Sequence, residues 1–164
     1  MMRPEPVRPE NGQESVWDYP RPPRLEPSTR SIEVRFEGEL IAETQRAFRV
    51  TETSHPPSYY LPEEDIRMNF LRSATGSSLC EWKGQATYFD LNISGSQILQ
   101  VAWTYLNPSV NFQPIAGYLA FYPNKVACFI EGERVQAQAG GFYGGWITSD
   151  IVGPFKGEPG TRSW

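Results

Sequence analysis

Base and nucleophile chemistry in this chain has few possible owners: one histidine, His55, and two cysteines, Cys80 and Cys128. His55 is the sole imidazole base and stands in the run Glu52-Thr53-Ser54-His55-Pro56-Pro57. The prolines hold that run extended, so Glu52, Ser54 and His55 on a stiff loop could line a pocket. The plainer reading is a histidine that hydrogen-bonds its own loop. Cys80 opens Cys80-Glu81-Trp82-Lys83-Gly84. A nearby ammonium such as Lys83 lowers a thiol's pKa, which would make Cys80 a nucleophile with His55 as its base. The plainer reading is a buried cysteine at the end of a strand. Cys128, inside the apolar run Val126 to Ile130, reads as core.

Metal and phosphate chemistry find less support. A structural zinc site takes four Cys or His ligands, more than the chain holds; a three-ligand site completed by carboxylates stays open but has no supporting pattern, and no metal or cofactor is expected. Nucleotidyl transfer generally places two or three carboxylates on magnesium and cradles phosphates in a glycine-rich loop. No Asp-x-Asp pair occurs, and Gly153-Pro154-Phe155-Lys156-Gly157 does not have the phosphate-loop spacing. Glu63, Glu64 and Asp65 suit the first turn of a short helix.

Binding fits the residues better. Ligand pockets combine aromatic walls with a few fixed polar groups. Tyr59, Tyr60, Trp82, Trp103, Tyr143 and Trp146 could form walls, while Arg46, Arg49, Glu52, His55, Glu81 and Lys83 could supply polar contacts. Roughly half of these rings should be core, because aromatics bury large areas. If the strand continues past Cys80, Glu81 and Lys83 point opposite to Trp82. The glycine after Lys83 instead suggests a turn or a close backbone approach.

The elements that must position these groups read as short strands. Ile32, Val34 and Phe36 alternate with charged residues, and Glu37-Gly38 turns the chain into Leu40-Ile41-Ala42. Ala47 to Glu52 is a further strand. Phe89, Leu91 and Ile93 alternate with Tyr88, Asp90 and Asn92, and Ser94-Gly95-Ser96 is a turn. Leu99, Val101, Trp103 and Tyr105 are predicted to share one face. Leu119 with Phe121, Val126 to Ile130, and Arg134-Val135 complete the set, separated by turns at Pro123-Asn124-Lys125 and Glu131-Gly132. Helix is confined to a turn or two after Pro62 and a brief turn from Pro108 stopped at Pro114. Gly140 to Trp164 reads as an ordered, glycine-rich loop wrapping the sheet.

With 164 residues, 39% hydrophobic and 13% aromatic, the chain is expected to form one mainly β, antiparallel domain over residues 16–164. Residues 1–15, rich in proline and charge, read as a flexible tail, with Trp17 and Tyr19 pinning the following arm. The net charge of -4 gives no overall attraction to nucleic acid or anionic membrane. No secretory leader and no membrane-spanning run is read, so the default location is cytoplasmic. An exposed strand edge would permit a homodimer without demanding one.

The run from Trp17 to Trp164 resembles the domain of unknown function 427 family. The likeness is carried by Tyr60-Leu61-Pro62 with Glu64-Asp65-Ile66, by Cys80 with Trp82-Lys83-Gly84, by Tyr88, and by Ala102-Trp103 with Tyr105. Ile115-Ala116-Gly117 leading into Ala120-Phe121-Tyr122 completes it. The arm Ser15 to Pro23, His55-Pro56-Pro57 and the closing Gly-Phe-Tyr-Gly-Gly-Trp block resemble a longer branch. Tyr118 stands where the family often has histidine, and Glu81 where shorter members often have proline. The resemblance implies an antiparallel β domain, tent-like, with two sheets splayed around a cleft. A nucleotidyltransferase-type label sometimes attached to the family implies an enzyme.

Together these readings predict a small-molecule-binding β protein with an aromatic-lined cleft. An enzyme of nucleotidyltransferase-like or hydrolytic type, and a scaffold meeting a partner through its arm and tail, are the alternatives.

Overall fold

A computed structural model of the chain describes residues 3–80 and 82–164. Its strands are β1 (Glu14–Ser15), β2 (Arg24–Ser28), β3 (Ile32–Phe36), β4 (Glu39–Thr44), β5 (Ala47–Thr51), β6 (Ser58–Tyr60), β7 (Leu71–Cys80) and β8 (Gly84–Ile93). They continue with β9 (Ser96–Thr104), β10 (Leu119–Phe121), β11 (Ala127–Ile130), β12 (Glu133–Arg134), β13 (Gln136–Ala137), β14 (Trp146–Ile147) and β15 (Ile151–Val152). The fold is mainly β and antiparallel, as the alternation predicts; only β1 and β15 pair in parallel among the described strands.

Two four-stranded sheets, ordered β10-β9-β8-β7 and β12-β11-β3-β4, share one apolar core. Ile32, Val34, Cys128 and Ile130 meet Leu91, Val101 and Phe121 there. The thiol of Cys128 is fully buried, and that burial raises its pKa. A second cluster lies where the first of these sheets meets the three-stranded sheet β2-β5-β6. It joins Val50 and Tyr60 to Ala86, Trp103, Tyr105, Phe112 and Tyr122.

The hairpin turns follow from φ. Glu37 and Gly38 have φ of 48° and 82°, and Glu131 and Gly132 have 50° and 79°. Positive φ at both central residues matches the twist of the flanking strands, so the two Glu-Gly turns form alike without any repeat. Ser94 and Gly95, at 47° and 82°, make a third.

Three features depart from the predicted pattern. Leu99 does not share the face of Val101, Trp103 and Tyr105: it is 59% exposed and they are buried. Gln100, with φ of 50°, sits in a bulge opposite Phe89 to Leu91 and donates its N–H to Asp90 at 2.8 Å, which resets the alternation. The strand β7 has no apolar period; its Ser, Thr and Gly residues are held at a sheet edge by pairing with β8. Pro114 lies inside the short 3-10 segment Val110–Ile115 instead of stopping it. The turns after Pro62 are likewise 3-10, at Glu63–Asp65 and Met68–Phe70.

The stretch read as a tail touches the body at several points. Val7 donates its N–H to Gly153, Glu14 donates to Asp150, and β1 runs beside β15. Backbone pairing makes these contacts, which a count of apolar residues does not register. Behind them Val16, Trp17, Tyr19 and Ile151 form a small cluster of their own, with Trp17 edge-on to Trp164 at 5.5 Å. No helix among the described residues is long and apolar enough to cross a membrane.

Candidate functional site

A cleft of about 300 Å³ opens beside the second apolar cluster. Three chain segments build it: the turn between β5 and β6, the hairpin tip between β7 and β8, and the glycine-rich stretch before β14.

The first segment carries Glu52 and His55. Ser54 takes φ of 73°, and the His55 N–H returns to the Glu52 carbonyl at 3.0 Å, closing a tight turn. The turn is clamped from both ends of the chain: Ser54 donates to Val16 and Thr53 to Pro20, while Lys156 donates to Ser54. Its Glu52 carboxylate lies 3.6 Å from the Arg21 guanidinium.

The hydrogen bonds around His55 define its tautomer. Gln138 Oε1 accepts the Gly145 N–H at 3.1 Å, so the other end of that amide is the NH₂. This NH₂ donates to the Lys156 carbonyl at 2.7 Å and reaches His55 Nδ1 at 3.2 Å. Nδ1 therefore accepts, and neutral His55 carries its proton on Nε2. Burial above all, then the charges of Lys156, Arg21 and Lys83, pull the imidazole pKa down to about 4. At neutral pH the ring is an uncharged donor, packed edge-on to Tyr143 at 5.3 Å.

The second segment turns inward. β7 does not run on past Cys80; Cys80 pairs with Gly84 and the chain reverses between them, with Gly84 at φ of 109°. Ser109 holds this tip: its N–H donates to the Lys83 carbonyl at 3.0 Å and its hydroxyl to the Trp82 carbonyl at 2.6 Å. Reversal and clamp bury Lys83 to 9% exposure. Its ammonium lies 5.9 Å from the Tyr105 ring and 5.7 Å from the Phe112 ring. Burial lowers the lysine pKa, yet Tyr60, Cys80 and Glu52 together outweigh it and leave the pKa raised, so the group stays charged.

The third segment is shaped by glycine. A side chain at Gly144 would press into Trp103, its Cβ 2.5 Å from Cζ3. One at Gly145 would meet Gln138 Oε1 at 2.6 Å and Pro56. The backbone thus lies flat over Trp103 and Pro56, bringing Phe142 and Tyr143 to the cleft rim.

Of the predicted site residues, Glu52, His55, Tyr60, Trp82, Lys83, Trp103 and Tyr143 come together at this cleft. Four lie elsewhere, Tyr59 among them as buried core. Arg46 pairs with Asp65 at 2.9 Å on the surface. Arg49 bridges Glu14 at 2.8 Å and Glu26 at 2.5 Å, tying the arm to the sheet. Trp146 is core: its indole donates to the Phe121 carbonyl at 3.0 Å and packs on Tyr59 at 5.1 Å, anchoring the glycine-rich stretch. Glu81 lies outside the described residues. Sequence reasoning missed Gln138 and Tyr122, and also Ser78 with Tyr88, whose hydroxyls meet at 2.6 Å in the cleft wall. Tyr105 was legible from its place two residues after Trp103 on the same predicted strand face; Gln138 carries no local signal. Both cysteines are free, and Cys80 lines the cleft beside Lys83.

The family model described as Domain of unknown function (DUF427), under a nucleotidyltransferase-type label, matches residues 24–132. No curated protein matches the chain. The matched span holds the Cys80-to-Gly84 tip and the His55 turn, while Gln138 and the Gly144-Gly145 pair lie beyond it. The chain belongs to this family of unknown function.

Proposed function

We propose that this member of the domain of unknown function 427 family binds a small molecule in the cleft between the His55 turn, the Lys83 tip and the glycine-rich stretch. One observation carries the reading: aromatic walls and a few fixed polar groups converge there from three distant segments. Trp82, Trp103 and Tyr143 supply wall area, and Lys83 and His55 supply oriented donors. A concave, largely preformed site of this composition is the usual form of a small-molecule pocket. The clamps on both polar groups, Ser109 on the tip and Gln138 on His55, support it further, since prior ordering lowers the entropy lost on binding.

The test is a thermal-shift screen of the full chain against metabolites, nucleotides and metal ions. A ligand that binds the folded state raises the melting temperature. The expected result is a shift that Trp82→Ala abolishes while leaving the unliganded melting temperature close to that of the wild type, because Trp82 is half-buried at a hairpin tip. A broad library without any shift would remove the reading.

A further inference from the structure

Resting on the cleft reading above, we propose that the ligand is a small aromatic monoacid, with its carboxylate on Lys83 Nζ and its ring against the tryptophan and tyrosine walls.

Lys83 is nine-tenths buried, and a buried ammonium is costly unless an anion answers it. Among the described residues no carboxylate oxygen comes within 4.0 Å of its Nζ; the ion pairs there join other partners. The faces of Tyr105 and Phe112 and the sulfur of Cys80 lie around it, and Glu52 acts on it only from beyond ion-pair distance. An ammonium has three N–H donors, and the side chain borders the cleft. The other acid and base of the wall do not meet this need. Glu52 already faces the Arg21 guanidinium at 3.6 Å, and His55 is a neutral donor.

Charge and size then choose the class. One ammonium without a carboxylate partner among the described residues matches one negative charge. A polyphosphate is usually held by arginine forks or by several backbone N–H groups at a helix N-terminus. No arginine lines this cleft, whose bordering elements are strands and turns. A volume of about 300 Å³ stands at the small end of ligand pockets, room for one or two rings and not for a nucleoside triphosphate. The walls supply ring faces in Trp82, Trp103 and Tyr143, which favour a flat apolar body.

The experiment is calorimetric titration of the full chain with two matched pairs: benzoate against benzamide, and indole-3-acetate against indole-3-acetamide. Each pair keeps the ring and removes the charge. The acids should bind at least about tenfold more tightly than their amides, as expected for a charge-assisted contact in a dry site. Lys83→Gln should erase that preference while changing amide affinity less than about threefold. Should that variant not fold, the wild-type acid-to-amide ratio decides alone. Amides that bind as well as the acids would overturn the charge assignment and leave the cleft reading standing. Failure of all four at millimolar concentration would overturn this inference, and the broad thermal-shift screen judges the cleft separately.

Discussion

Gln138 Nε2 lies 3.2 Å from His55 Nδ1, across 83 positions of the chain. The contact joins the turn after β5 to the stretch after β13, and it makes His55 a donor through Nε2. The same amide binds Gly145 and Lys156, so one side chain orients the imidazole and pins two loops around it.

His55 should stay neutral well below its ordinary range. Its pKa is lowered to about 4 from 6.5. Between those values the unfolded chain binds a proton at His55 that the folded chain does not. Stability therefore rises with pH in that window and is lost as pH falls from about 6.5 towards 4, by at most about 3 kcal/mol. Nitrogen-15 NMR of the ring should show the Nε2–H tautomer at pH 5.5. His55→Gln should flatten this part of the stability-versus-pH profile; an unchanged slope would mean that other groups carry it.

Gly144→Ala should be severe and Gly141→Ala mild. The first places a methyl against Trp103, whereas a Cβ at Gly141 meets nothing within 4 Å. Overpacking of this kind costs about 1–3 kcal/mol, or a melting temperature lower by roughly 2–10 °C for a domain of this size. Ligand binding in the cleft should weaken with Gly144→Ala, because the stretch that forms its rim is lifted. Equal melting temperatures for the two variants would contradict the packing described.

Arg49→Met should separate stability from binding. Arg49 holds Glu14 and Glu26 with only 15% of its side chain exposed, and it lies outside the cleft. Removing it leaves two carboxylates without their cation, a loss of about 1–3 kcal/mol in chemical denaturation. Affinity for any cleft ligand should not change. Burial raises the Glu14 pKa, but hydrogen bonds from Arg49 and Tyr19 outweigh it and hold the carboxyl below 4.5. That stabilisation is present above pH 4.5 and disappears as pH falls through the lowered value, so the variant should lose less stability on acidification than the wild type.

Iodoacetamide should alkylate Cys80 and spare Cys128 in the folded protein. Cys80 is half-buried and borders the cleft, while Cys128 is fully buried and its raised pKa keeps it a thiol. Peptide mass spectrometry reads the two sites separately. A ligand seated on Lys83 should slow the labelling of Cys80, and equal labelling of both cysteines would contradict the burial.

Local pattern determined what local physics controls. The alternation of Ile32, Val34 and Phe36 marks a half-buried strand because side chains on a strand point to opposite faces in turn. The Glu-Gly and Ser-Gly pairs mark hairpins because positive φ fits their twist, and Cys128 in an apolar run is core. Motif blocks in the sequence also marked the His55 turn, the Trp82-Lys83 tip and the Gly140-to-Trp146 stretch, the three segments that meet at the cleft. Which polar side chains serve the cleft was decided only in three dimensions. Arg46 and Arg49 found carboxylates elsewhere, on Asp65, Glu14 and Glu26, and Trp146 found the Phe121 carbonyl. Lys83 turned inward only because the chain reverses at Gly84 and Ser109 grips the tip from another loop. Gln138 became the partner of His55 through a contact that no spacing encodes. Periodicity reports which face of an element is buried; the partner of a charge or an amide depends on which distant segments the fold brings within hydrogen-bond reach.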